Sequence, residues 1–375
     1  MSSWWLAEPS PPLRRVRVER PDVEIVGAGI TGVSAALTLA GAGVRVRVYD
    51  GRAVAGGASG RNGGFALRGG AMPYDQARRW LGPGPAQRYW RQTELQLERL
   101  AALAGDALRP TGSLRVAGDA EEREELHAEY EALRADGFAA DWRDELPGFA
   151  GAIFHPPDAS IQPARLVRRL AAQAADAGVE IREGVRVGSV DELRAERVLV
   201  ATDGYPSGLL GELEGLIIPT RGQMLVTEPV GERLFDCPHY GRHGFDYWQQ
   251  LPDGRITAGG FRDVALDSEF TDSEQTTDTI QQALERFVAR VAGRPLKVEQ
   301  RWAGIFGLVL DFLPVVGPVP GSERVWVAGG YSGHGNVLGF MCGELAAGAL
   351  DGGVPDGERA ELLAAFTPTR LLPGS

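Results

Sequence analysis

The chain has 375 residues, with 39 Lys+Arg against 50 Asp+Glu and a net charge of −11 at pH 7. That balance excludes nucleic acid and anionic membrane surfaces as partners, because both select basic patches. With 43 % hydrophobic residues a sizeable core is available, and 51 glycines plus 24 prolines stay below the ~25–30 % share of low-complexity disorder, so the glycine excess needs a folded cause.

The length suggests two domains, or one large α/β unit with an insertion. Residues 1–21 are rich in Pro and Arg and carry Trp4 and Trp5, an arm suited to packing along a domain surface. Val23–Val26 reads as a short strand, Gly27-Ala28-Gly29-Ile30-Thr31-Gly32 as a tight turn, and Val33–Ala42 as a helix closed by Gly43. Val44–Tyr49 alternates as a second strand ending at Asp50, which completes a βαβ unit. A glycine-dense loop follows at 56–64. Trp90, Thr93, Leu97 and Leu100 repeat at helical spacing, and a second helix spans the acidic stretch Asp119–Asp136, whose charges read as a solvated face. Pro163 opens a helix that stops near Gly178, and strands are expected at 179–181, 185–187 and 197–202. Gln223–Thr227, then Tyr247–Leu251, a Pro-Asp-Gly turn and Arg255–Ala258 read as β structure with a hairpin. A helix over 276–292, a strand over 325–328, a glycine-rich turn at 329–335 and a helix over 336–350 close the pattern.

Cys237 and Cys342 form neither a metal spacing nor a disulfide framework, which suits a reduced cytoplasm. No metal is expected. No apolar run reaches the length of a membrane span, and Arg14-Arg15 has no apolar segment behind it. Lys297 is the only lysine and reads as a surface or edge residue.

Gly27, Gly29 and Gly32 form G-x-G-x-x-G between a strand and a helix. The first glycine permits the turn, the second lets a pyrophosphate approach, and the third lets helix and strand pack. Phosphates then rest on free N–H groups at the positive helix end. Asp50, 18 residues past Gly32, can accept hydrogen bonds from ribose hydroxyls. An NAD enzyme would continue with alternating strands and helices. Here two further glycine clusters follow, at 56–64 and 329–335, and three separated clusters suit one long ligand, FAD.

These residues carry a resemblance. The Trp4-Trp5 arm, the 27–32 fingerprint, Ala58-Ser59-Gly60-Arg61-Asn62-Gly63-Gly64, Gln162-Pro163-Ala164-Arg165-Leu166, Ala201-Thr202-Asp203-Gly204-Tyr205, Asp253-Gly254-Arg255, Trp302-Ala303-Gly304, Leu313-Pro314-Val315-Val316-Gly317 and Gly330-Tyr331-Ser332-Gly333-His334-Gly335 are its landmarks. The chain resembles the FAD-dependent amine and amino-acid oxidoreductases that include glycine, sarcosine and D-amino-acid oxidases, and within them γ-glutamylputrescine oxidase-like proteins. The resemblance implies an α/β fold. A discontinuous Rossmann-type FAD-binding domain would take residues 1–80, 160–222 and 318–375. A β-rich α+β substrate domain would take 81–159 and 223–317. It also implies that Ile30 and Thr31, with Gly51 and Arg52 beside Asp50, join the dinucleotide site. Ala58, Ser59, Asn62, Gly63 and Gly64 would line the flavin. Val187 would meet the adenine side, and Ala201, Thr202 and Gly204 the pyrophosphate or adenosine. Gly304 and the run Gly330, Tyr331, Ser332, Gly333, His334, Gly335 and Asn336 would lie at the ring. A helix beginning near Gly335 would put N–H groups where a reduced flavin becomes anionic. His334 either adds a hydrogen bond there or simply packs, and Arg61 either contacts the cofactor or forms an ordinary ion pair.

Departures from the family are informative. Phe306 stands where glycine-oxidase-like members place a carboxylate-binding arginine, and phenylalanine makes no bidentate clamp. This points to an amine without an α-carboxylate. Lys297 is misplaced for oxygen activation. No cysteine lies near 302–307 and no histidine in 56–64, so FAD is expected to be non-covalent. Tyr247 and Trp248 are candidates for an aromatic substrate wall. Asp246 and Asp311 are candidates for a distal ammonium, or else turn residues. No general base is evident. The expected function is FAD-dependent amine oxidation with O₂ or another acceptor. The alternatives are oxidation of a D-amino or N-methyl amino acid, and a non-catalytic FAD module.

Overall fold

The structure, a computed structural model, describes residues 2–205, 208–353 and 357–372. It is built on two large sheets. In the first, Val23–Val26 lies between Val46–Asp50 and Arg197–Val200, all parallel. Glu180–Glu183 and Val325–Gly329 extend it in parallel on the two sides, and Val315–Pro318 closes one edge antiparallel. Buried on both faces, the central strands read as near-continuous apolar runs. The second sheet has eight strands in the order 298–308, 218–229, 255–260, 246–250, 239–241, 113–117, 151–155, 141–143. A small three-stranded sheet (65–66, 159–161, 108–109) completes the strands.

The first βαβ unit forms as the sequence predicts, with its helix at Ile30–Gly41. The last helix, Gly335–Leu350, packs directly on it. Two glycines inside that helix allow this approach. A Cβ on Gly343 would stand 2.4 Å from the Thr31 carbonyl oxygen, and one on Gly339 2.7 Å from Ile30 Cγ2. The contact is locked by Ser34 Oγ donating to the Phe340 carbonyl at 2.7 Å and by the hydroxyls of Thr31 and Tyr331 at 2.9 Å.

The hairpin at 246–260 and the helices at Pro83–Ala104, Pro163–Asp176 and Asp278–Val291 also match the pattern. One expectation is corrected. Residues 185–187 are not a strand. Glu183 pairs with Asp50, the last residue of the neighbouring strand, so beyond Val185 the ladder has no partner. The acidic helix, Ala120–Ala135, has the expected solvated face, with Glu121, Glu124, Glu125 and Glu131 exposed, but two of its carboxylates turn away from it. Glu129 turns inward to the Arg115 guanidinium and the Tyr74 N–H, and Glu122 takes the N–H groups of Gly118 and His243.

The arm lies where it was expected. Trp5 is buried, its indole N–H donating to the Asn62 carbonyl at 2.7 Å, and Ser3 Oγ reaches the Gly60 carbonyl at 2.5 Å. Gly343→Ala should lower stability by about 1–3 kcal/mol, because the backbone carbonyl facing it cannot yield cheaply. Urea unfolding measures this, and an unchanged midpoint would show that the helix pair has slack.

Candidate active site

A cavity of ≈ 900 Å³ runs along the carboxyl ends of the parallel strands and under the second sheet. Its floor is the first glycine turn. A Cβ at Gly27 would lie 2.5 Å from the Ala201 carbonyl oxygen, and one at Gly32 1.9 Å from that of Gly27. Gly29 caps the helix with no side chain, leaving the first turn's N–H groups turned to the cavity, apart from that of Ile30, which donates to Ser59 Oγ at 2.9 Å. Asp50 grips the turn itself, accepting from the N–H of Ala28 and of Arg52, each at 2.7 Å. Burial raises its carboxyl above the usual range.

The second and third glycine clusters are joined by a reciprocal amide pair. Asn62 Nδ2 donates to Asn336 Oδ1 at 3.1 Å, and Asn336 Nδ2 returns to Asn62 Oδ1 at 3.2 Å. Gln249, which the sequence reading missed, holds the carbonyls of Gly63 and Gly64 at 2.6 and 3.0 Å. Arg61 lines the cavity and also forms an ion pair. It donates to the Gly56 and Ala303 carbonyls and pairs with Glu274 at 3.5 Å. Arg52 and the Tyr205 hydroxyl meet the same Glu274 at 2.6 and 2.5 Å.

Asp203, within the Ala201–Tyr205 landmark, ties the site together. Its carboxylate accepts from the N–H of Gly307 at 2.9 Å and of Gly330 at 2.8 Å, with Gly204 and Tyr331 N–H groups also turned to it. Three chain segments thus meet on one side chain.

Most of the expected cofactor residues line the cavity: Gly27, Gly29, Ile30, Thr31, Asp50, Gly51, Arg52, Ala58, Ser59, Arg61, Asn62, Gly63, Val187, Ala201, Thr202, Gly204, Gly304 and Tyr331–Asn336. Gly32, Gly64 and Gly330 stand behind the wall, where their missing side chains make room for protein rather than ligand.

On the substrate side, Tyr247 and Phe306 both face the cavity. Tyr247 covers Gly63, and burial pushes its hydroxyl up to about 12, so it stays protonated. Trp248 is a correction. Strand alternation turns it to the other face, where it is buried between Phe149, His239 and Phe287. Asp246 and Asp311 are corrected too. Asp246 is held at 2.8 and 2.6 Å by Arg242, and Asp311 at 2.7 and 3.0 Å by Arg370, so neither is free for an ammonium group. Lys297 is exposed and outside the cavity. Cys237 and Cys342 are buried and unpaired. Tyr240 and Arg262 line the cavity without having been singled out. Arg262 had no local signal, since its direction depends on a left-handed residue before it, Phe261 at φ 60°.

His334 sits at the start of the last helix, facing the cavity. Burial lowers its pKa to about 4, so the ring is neutral at physiological pH, and its Nδ1 has no hydrogen-bond partner among the described residues.

A dinucleotide-type parallel sheet and a large, mostly antiparallel sheet sharing one cavity define a two-domain flavoenzyme architecture. The family model described as DAO, FAD dependent oxidoreductase, matches residues 22–349, and the chain belongs to that family. It is 25 % identical to the probable oxidoreductase OrdL of Haemophilus influenzae over 94 % of this chain and 86 % of that protein. It is 26 % identical to the gamma-glutamylputrescine oxidoreductase of Escherichia coli over 92 % and 86 %. The glycine oxidase structure from Geobacillus kaustophilus superimposes with a TM-score of 0.74 at 22 % identity, over 94 % of this chain and 99 % of that one.

The residues fit FAD. Side chains would fill the turn at Gly27 and Gly29, two helix N-termini open onto one cavity, and the His334 Nδ1 still has a hydrogen bond to make. Among the described residues no group of His, Cys, Asp and Glu could hold a metal, and no helix is long and apolar enough to cross a membrane.

Asp203→Ala strands several N–H groups and should cost about 3 kcal/mol or more, with reduced FAD retention on gel filtration as the second readout. For His334, the unfolded chain takes up a proton near 6.5 and the folded chain only near 4. The stability of the wild type relative to His334→Asn should therefore fall as pH drops from 6.5 to 4, by about 1.4 kcal/mol per pH unit. A pH-independent difference in paired unfolding curves would contradict the neutral, buried histidine.

Proposed function

We propose that this FAD-dependent oxidoreductase oxidises the C–N bond of an amine. The observation that carries the proposal is the continuity of one cavity from the glycine turn at 27–32 to the aromatic residues Tyr247 and Phe306. A ligand anchored at the first reaches the second. The gamma-glutamylputrescine oxidoreductase and glycine oxidase likenesses support an amine or amino acid as substrate.

FAD, held non-covalently, would supply the two-electron acceptor: it would take a hydride from the substrate's α-carbon, leaving an imine for hydrolysis to a carbonyl compound, and would pass the electrons to O₂ or another acceptor. The protein's own part is threefold. Ser59, Asn62, Gly63 and Tyr331–Asn336, which line one stretch of the cavity, would hold the flavin ring. Tyr247 and Phe306 wall the substrate against it and exclude water. The N-terminus of the last helix and the neutral His334 present hydrogen-bond donors and a positive dipole where negative charge develops. Tyr247 is too weak an acid to act as a base near neutrality, and a neutral amine needs none. The discontinuous FAD-binding and substrate domains form part of the proposal.

Anaerobic addition of a panel of amines, acylated polyamines and amino acids to the FAD-loaded protein should bleach the flavin with at least one member. Tyr247→Ala should slow that bleaching by roughly 10–100-fold while leaving FAD content unchanged. If no member bleaches the flavin, the proposal fails and a non-catalytic FAD module becomes the better description.

A further inference from the structure

Arg262 projects into the cavity from the end of the 255–260 strand. Gly260 at φ 113° and Phe261 at φ 60° reverse the chain there. A left-handed phenylalanine is strained, and such a conformation persists where the surroundings fix it. The Phe261 N–H is held by the Phe245 carbonyl at 2.6 Å, and its ring packs on Phe287 at 5.3 Å. The direction of Arg262 is thus set by the fold.

The guanidinium lies between two aromatic rings. Its central carbon is 4.4 Å from the Phe245 centroid and 5.7 Å from that of Phe306. Cation–π contact with the two rings occupies no N–H group, so the donors stay available to a planar anion, which a guanidinium can receive in bidentate fashion. Of the other arginines lining the cavity, Arg52 and Arg61 pair with Glu274, and Arg186 stands beside Gly51 and Val187 in the nucleotide-binding half, away from the aromatic residues. Arg262 has no hydrogen bond and no ion pair among the described residues. Its neighbour Asp263 is taken by Arg242 at 2.8 Å. Partial burial disfavours the charge, and Tyr247 and Asp263 within electrostatic reach offset this only in part. A desolvated cation in a ligand cavity without a counter-ion costs free energy that an anionic ligand would return.

We propose that Arg262 binds a carboxylate of the substrate, with Phe245 and Phe306 as the aromatic faces beside its guanidinium. Phe306 then does not mark the loss of a carboxylate site. It backs one whose cation comes from a different strand. The inference rests on the cavity being the amine site, and it changes the expected substrate from a carboxylate-free amine to one bearing a carboxylate, either on the α-carbon or further along the chain.

The test uses the FAD-loaded protein and does not require turnover. Propanoate and its neutral isostere propanamide are titrated while flavin absorbance and heat are recorded. Propanoate should bind, with propanamide about 100-fold weaker. Arg262→Gln should lose propanoate affinity by a similar factor with FAD content and melting temperature unchanged, and Arg262→Lys should retain part of it. Equal binding of propanoate and propanamide, no propanoate binding, or an unchanged affinity in Arg262→Gln would overturn the proposal. With substrates, α-amino acids, ω-amino acids and their decarboxylated amines separate the two carboxylate positions. Arg262→Gln should raise KM for the carboxylate-bearing class alone. If propanoate binds through Arg262 but no amine of any class reduces the flavin, the carboxylate site stands and C–N oxidation is refuted.

Discussion

The site depends on one half-buried carboxylate. Asp203 follows the central Arg197–Val200 strand at a left-handed residue and accepts N–H groups from the 298–308 strand and from the third glycine cluster. A single acceptor thereby fixes the relative position of the parallel sheet, the substrate sheet and the loop that opens the last helix. The crossing is so close that a Cβ on Gly204 would lie 2.5 Å from the Phe306 carbonyl carbon, and one on Gly307 2.8 Å from Asp203 Oδ1. The charge of the carboxylate is sustained by oriented backbone dipoles, with burial raising its pKa against them. Phe306 sits one residue from this knot, so the substrate wall is registered to the cofactor cradle.

A second tie acts across the cavity mouth. Glu274, from the segment between the substrate-sheet hairpin and the Asp278–Val291 helix, gathers Arg52, Arg61 and Tyr205. Two arginines that line the cavity thereby also hold the segment after Arg262 against the nucleotide-binding half. The same hairpin contributes Tyr247, Gln249 and, past its end, Arg262. One antiparallel ribbon therefore covers the second glycine loop, braces its carbonyls and presents a cation to the cavity.

The legible parts were those where chemistry is local. The G-x-G-x-x-G turn, the strand before it and the helix after it need only neighbouring residues, so spacing reveals them. Glycine density also located the cavity, since Gly27 and Gly29 line it, although a Cβ at either would first meet protein, the Ala201 carbonyl or Ser59 Oγ. Density alone did not separate room made for a ligand from room made for protein: Gly343 and Gly339 serve helix packing. Alternation in the hairpin places Tyr247 and Trp248 on opposite faces, but which face meets the cavity is a tertiary fact. Asp246 and Asp311 looked available because their partners, Arg242 and Arg370, are brought to them by turns and by the C-terminal segment.

The sequence by itself determined the dinucleotide unit, the three glycine clusters and the order of the α/β and β-rich segments, because each follows from backbone sterics and periodicity over a few residues. Only the tertiary structure decided what the cavity selects. Phe306 read alone removes a carboxylate clamp. Set beside Arg262, which a left-handed turn brings from the end of another strand, it supports one. Charge recognition depends on which groups remain unpaired after folding, and pairing between residues distant in sequence is set by the packing of the sheets.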